Sequence, residues 1–179
     1  MLEDIYATLD TEVGKARFRL YAAKAPLTVV QFVNLVQRKF YDGLIFHRAI
    51  KHPRFVVQGG CPEGDGRGST GYYFEDEFHD DLKHDAAGVL SSVNFGKPHT
   101  NSSQFFITLT STPWLDKQHS VFGKVVSDKD LAVVEKINKN TEIHTITIDS
   151  DVSELCQAYE ARLREWNKIL DHYFALLTG

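Results

Sequence analysis

The first twenty residues alternate. Ile5, Ala7 and Leu9, and then Ala16, Phe18 and Leu20, are set against Arg17, Arg19 and Tyr21. A period of two sends successive side chains to opposite faces and marks a half-buried strand. Thr11-Glu12-Val13-Gly14 interrupts the pattern with a turn, so residues 4–21 read as a hairpin. At Pro26 the period changes: Val29, Val30, Phe32, Val33, Val36 and Phe40 recur at three- and four-residue steps. Proline in a first turn and Gly43 past the end predict a helix over 27–39. Short runs rich in β-branched and aromatic residues follow at 45–48, 55–58, 89–94, 104–109 and 120–126. A second helix is predicted over 130–138, capped by Ser127 or Asp128, and a last strand over 143–148. About eight strands and two core helices predict a mainly β domain over residues 1–150, an antiparallel closed barrel with a solid interior. Its chemistry must then lie on the outer face and the loops.

Residues 151–179 differ in kind. Val152, Cys156, Tyr159, Leu163, Trp166, Leu170, Tyr173 and Leu177 step alternately by four and three, a heptad seam that predicts one long C-terminal helix. Asp151 caps its first turn, with Glu154 three residues on. Such a seam either lies against the chain's own barrel, the commoner fate, or pairs with a copy or a partner through residues 152–177. Tyr159, Trp166 and Tyr173 are bulky for a tight two-stranded seam.

Composition narrows the function classes. Apolar residues make up 42% and charged ones 25%, the range of a globular domain. A net charge of −4 and no long basic cluster speak against nucleic acid as a partner. No apolar run reaches the roughly 18–20 residues of a membrane span, and the opening Met-Leu-Glu-Asp-Ile-Tyr lacks signal-peptide character. Two cysteines, Cys61 and Cys156, make no disulfide framework, and free thiols fit a reducing, cytoplasmic location.

Several familiar chemistries fail on inspection. Residues 66–71 match the glycine pattern of a dinucleotide loop, but the acidic, aromatic Tyr72–Asp80 follows where a helix start is required. They read instead as a shaped loop, and nucleotide chemistry is not expected. His79 and His84 have no second ligand pair, so no metal and no cofactor are expected. Cys61 has no base beside it and reads as structural.

What remains is a set of polar groups set among large apolar ones. Phe46-His47-Arg48 puts a guanidinium on a strand, and Phe55-Val56-Val57-Gln58-Gly59-Gly60 follows. Later come Asn101-Ser102-Ser103-Gln104-Phe105-Phe106-Ile107 and Pro113-Trp114-Leu115-Asp116, the latter leading to His119-Ser120-Val121-Phe122-Gly123. These strings, in this order, resemble the signature of the cyclophilin-type peptidyl-prolyl isomerases. The resemblance runs from about Ile5 to Ile148 and includes the Lys24-Ala25-Pro26 entry to the first helix; it does not reach 151–179. It implies an eight-stranded barrel capped by two helices, and an enzyme that speeds rotation of X–Pro bonds and assists protein folding. Its partners would be proline-containing peptides and proteins, without a cofactor.

By that resemblance Arg48 is the catalytic residue. Phe55, Val56, Phe106, Leu115 and His119 form a proline pocket, while Gln58, Asn94, Gln104 and Trp114 hold substrate backbone or rim the pocket. Trp114 is also the residue type that goes with cyclosporin binding in this family. The sequence departs from the pattern at several points. The segment 49–54 is longer than usual by about two residues, and Lys97-Pro98-His99 by about one. Val56 replaces a common methionine, and Cys61 replaces an acidic residue or glycine. Phe95 stands where a small residue is usual. It either narrows the groove for residues preceding proline or folds over the rim. The rival class is a proline-directed binding scaffold with little turnover, against which the retained Arg48 argues.

Overall fold

The computed structural model describes residues 1–179. Eight strands form one antiparallel sheet: β1 (Ile5–Thr11), β2 (Gly14–Leu20), β3 (Arg48–Lys51), β4 (Arg54–Gly59), β5 (Val89–Ser92), β6 (Phe105–Thr108), β7 (Val121–Val125) and β8 (Ile143–Ile148). Their spatial order is β3-β4-β6-β5-β7-β2-β1-β8. The predicted hairpin is present: Ala7 faces Phe18 and Leu9 faces Ala16 across β1 and β2, all four buried. Inside, Phe18, Phe32, Phe105 and Ile107 pack so closely that they and their neighbours leave a void of only ≈ 10 Å³, at the limit for one water. The interior is solid, as the strand count implies, and chemistry is confined to the outside.

The expected closed barrel is not what forms. The sheet curls, but its edge strands β3 and β8 share no ladder. The curl is joined by the isolated bridge Ile45–Glu142, with the Phe46 amide donating to the Thr141 carbonyl at 2.9 Å. The reason lies in where β3 begins. Residues 45–47 carry bridge bonds alone, and the strand runs from Arg48 into the 49–54 segment, which makes a hairpin with a cis His52–Pro53 bond. This segment forms an edge hairpin of the sheet.

Helix α1 (Pro26–Gln37) and helix α2 (Asp128–Glu135) match the two predicted core helices within a few residues. Ser127 caps α2 by accepting from the Asp130 amide. The predicted single tail helix is two: α3 (Ser153–Ala158) and α4 (Glu160–Thr178), with a break at Tyr159 (φ −117°, ψ 21°). Helix α4 packs on the body. Leu155, Trp166 and Leu170 are buried there, and the Asn167 side-chain oxygen accepts from Asn34 at 2.9 Å and Arg38 at 3.1 Å on α1. Of the two fates for the seam, the chain takes the docked one. Accordingly α1 is buried from Thr28 to Val36, its polar Gln31 and Asn34 bonded to Tyr72 and to Asn167 of α4.

Candidate active site

The β3–β4 ladder sets Arg48 opposite Gln58, and the β4–β6 ladder sets Gln58 opposite Phe106. Three neighbouring strands thereby carry a cation, an amide and a phenyl ring side by side. Arg48 donates to the Gln58 side-chain oxygen at 3.1 Å, and Gln58 donates to that of Gln104 at 3.1 Å. Gln104 is almost wholly buried and donates onward to the Gly66 and Gly68 carbonyls, at 2.8 and 3.1 Å. This relay fixes which end of each amide faces Arg48, because every acceptor in it is an oxygen. The guanidinium lies 6.0 Å from the Phe55 ring centre, and Phe55 lies 6.0 Å from the exposed Trp114.

A cleft of ≈ 310 Å³ opens here, lined by Arg48, Phe55, Val56, Gln58, Gly66, Val93, Asn94, Phe106, Leu115 and His119. That is the small end of the range for a ligand site, enough for a few residues of peptide. Behind it, Phe106 is clamped between a parallel His84 ring at 5.7 Å and an edge-on His119 ring at 5.3 Å. The fully buried His84 is itself fixed at both nitrogens, by the Asp116 carboxylate at 2.8 Å and the Ser91 hydroxyl at 2.9 Å. A carboxylate only accepts, so Nδ1 carries the proton and Nε2 accepts from Ser91. Burial lowers the pKa of His84 from 6.5, partly offset by the hydrogen bond to Asp116. Burial also lowers that of His119, partly offset by its bond to the Ser92 carbonyl. Near neutral pH both rings are therefore uncharged, and Arg48 faces the cleft as its cation.

Eight of the eleven residues singled out from sequence line this cleft together. Gln104 stands behind Gln58, and Trp114 stands at the rim beside Phe55. Phe95 does not line the cleft: it packs against Tyr73, ring centres 5.5 Å apart, at the end where Asn94 is found. Asn94 itself is held by donating to the Gln118 carbonyl at 2.8 Å. Gly66 and Val93 were not among the expected residues. Gly66 sits at φ +85°, in the left-handed region, and a side chain there would meet His47 at 3.1 Å. The glycine pattern at 66–71 was the available signal for this tight loop. Cys61 helps shape the loop as a buried structural cysteine, its sulfur accepting from the Gly66 and Gly68 amides at 3.3 Å each.

A sequence model of the cyclophilin type peptidyl-prolyl cis-trans isomerase family matches residues 6–154. Peptidyl-prolyl cis-trans isomerase ppi1 of Schizosaccharomyces pombe is 55% identical over 122 residues, 66% of this chain and 77% of that one. Peptidyl-prolyl cis-trans isomerase-like 1 of Emericella nidulans is 52% identical over 123 residues, 67% and 74% of the two chains. Among solved structures, a Cryptosporidium parvum cyclophilin type peptidyl-prolyl cis-trans isomerase superposes with a TM-score of 0.76 at 35% identity. It covers 83% of this chain and 99% of its own. The same protein crystallised in the presence of the dipeptide Ala-Pro gives 0.74 at 34% identity, covering 82% and 99%. The chain belongs to the cyclophilin-type peptidyl-prolyl cis-trans isomerases, and its activity is that isomerisation.

Proposed function

We propose that Arg48 is the catalytic residue and that the cleft takes the proline of an X–Pro segment, in the service of protein folding. Rotation about an X–Pro bond is slow because amide resonance sets a barrier of ~18–20 kcal/mol. As the bond twists, the prolyl nitrogen regains a lone pair and becomes an acceptor. A donor aimed at that nitrogen binds the twisted state more tightly than either planar one, which is what lowers a barrier. In this reading Arg48, bonded to Gln58 and lining the cleft, supplies that donor. Phe55, Phe106 and Leu115 grip the ring, His119 and Val56 complete the wall, and Gln58, Asn94 and Trp114 steady the backbone. No proton leaves the substrate and no bond breaks, so the neutral histidines suit a wall rather than an acid–base pair.

The observation that carries this reading is that the Arg48 guanidinium lines the same hollow as Phe55, Phe106 and Leu115. The Ala-Pro dipeptide present with the C. parvum relative supports proline-containing peptides as the class bound. A donor directed at charge that develops in the transition state is worth about 10²-fold or more. Arg48→Ala is therefore expected to cut turnover of an Ala-Pro peptide by roughly 10²-fold with the fold intact. Unchanged turnover ends the assignment, and a native protein that binds the peptide without Arg48-dependent turnover is a binding scaffold instead. Exposed Trp114 beside Phe55 supports cyclosporin as an inhibitor in the same assay.

We place catalysis in residues 1–150, with 151–179 as an extension docked on them. Because Trp166 and Leu170 are already covered, pairing through 152–177 has the exposed Ile169, Leu176 and Leu177 to use. A monomer is expected in sedimentation. Both cysteines are unpaired, which supports a cytoplasmic location, to be checked by cell fractionation.

A further inference from the structure

We infer that helix α4 is a positioning element for the substrate groove, acting through residues 70–77 on the Tyr73–Phe95 pair at one end of the cleft. This rests on the cleft being the isomerase site.

Residues 70–77 have no regular structure beyond a single bridge between Phe74 and Asn101. Their course is therefore set by what packs on each side. On one side stands α4. Trp166, buried to 3% exposure, stacks on Tyr72 with ring centres 5.2 Å apart and planes within 12°, and lies 5.9 Å from Phe74. One turn earlier, Arg162 pairs with Glu75 at 2.5 Å while its guanidinium lies 5.1 Å over the Trp166 ring. Gly71, at φ +90°, is close enough to Ile169 that a side-chain carbon there would come within 3.1 Å of it. Three residues of one helix thus hold four of the segment.

The other side of the segment faces the site. Tyr73 rests on Phe95, the residue after the cleft-lining Asn94. Asp76 accepts from the Asn101 side chain at 2.8 Å and from the His99 amide at 3.1 Å, which ties down the far end of the loop that begins at Phe95. Thr70 donates its amide to Ser102, two residues before Gln104. Residues 70–77 therefore bear on the Phe95 end of the cleft through Tyr73 and Asp76, while Asn94 is held separately by Gln118. Arg48 receives none of these contacts; its support comes from Gln58 on the sheet. The helix should consequently govern which residues preceding proline are accepted, and leave the rotation step alone. The family match ends at residue 154, so this control belongs to the added segment of this chain.

The test uses full-length protein carrying Arg162→Gln or Trp166→Leu, and two peptides that differ only in a small or a bulky residue preceding the Ala-Pro. The KM ratio between the peptides is expected to shift three- to tenfold, with kcat on the small peptide within twofold of native. The charge-swapped pair Glu75→Arg with Arg162→Glu is expected to restore the ratio. If Trp166→Leu does not fold, Arg162→Gln decides alone. An unchanged ratio overturns the inference, and so does a fall in kcat at constant ratio, which marks a purely structural helix. Native protein and Arg48→Ala run alongside separate the failures. Loss of Arg48-dependent turnover in the native chain defeats the catalytic reading, whereas native turnover with an immovable ratio defeats only the role of α4.

Discussion

The two ends of the cleft are built by different means. At the Arg48 end, the cation, Gln58 and Phe106 sit in register on adjacent strands, and Gln104 closes a relay of side-chain amides behind them. At the Phe95 end, Asn94, Phe95 and Tyr73 come from loops, and the shape depends on side-chain contacts reaching as far as α4. Ladder hydrogen bonds fix strand register, since a slip of one residue would turn every side chain to the wrong face. Loops have no such constraint and vary more readily. On the proposed reading, the chemistry rests on the rigid end and the choice of substrate on the adjustable one.

Breaking the relay gives the largest of the effects that bear on this contrast. Gln104→Leu leaves the Gly66 and Gly68 carbonyls and the Gln58 amide without their partner. A buried polar group left unpaired costs about 1–3 kcal/mol. The variant is expected to lose stability in that range in urea unfolding and about tenfold in kcat, as Gln58 ceases to orient Arg48. Native turnover in this variant shows that the rigid end does not depend on its backing.

Phe95→Ala removes the partner of Tyr73 and opens the other end. Acceptance of bulky residues preceding proline is expected to rise severalfold, with kcat on an all-alanine peptide unchanged. Identical selectivity shows that the ring only covers the rim.

The smallest effect is in pH. The folded-state pKa values of His84 and His119 lie below the ordinary 6.5, largely through burial. Between the two states' values the unfolded chain binds more protons, so stability rises with pH there. The stabilisation is complete above about 6.5 and is lost as pH falls below it. Replacing His84 with a residue that does not titrate is expected to flatten the acid side of a stability-versus-pH curve. The same slope in native and variant protein means that Phe106 is not clamped by a neutral ring.

Legibility in the sequence follows the same division. The hairpin over 4–21 and the last strand declared themselves because half-buried strands alternate, whereas β4 and β6 are buried with no alternation and Arg48, Gln58 and Phe106 were singled out through the motifs that resemble the family's. The start of β3 was misplaced because Phe46 is wholly buried and apolar yet makes only bridge bonds. Closure was overestimated because a count of strands says nothing of whether the edges meet. The tail read as one helix because its seam runs through Tyr159 unbroken, while the backbone there leaves the helical region (φ −117°, ψ 21°) without any change in the side-chain pattern. Phe95 found its partner only in three dimensions, since loop-to-loop contacts such as that with Tyr73 leave no periodic trace.

The central claim is that Arg48 favours the twisted amide over the planar one, and the most direct test measures binding and exchange on the same sample. With one proline peptide, line-shape or exchange NMR gives both its affinity and its cis–trans rate on native protein and on Arg48→Ala. The account predicts a rate lower by about 10²-fold at nearly constant affinity, because the interaction lost exists only at the barrier. A rate and an affinity that fall by equal factors would show that Arg48 merely holds the peptide, and would contradict it.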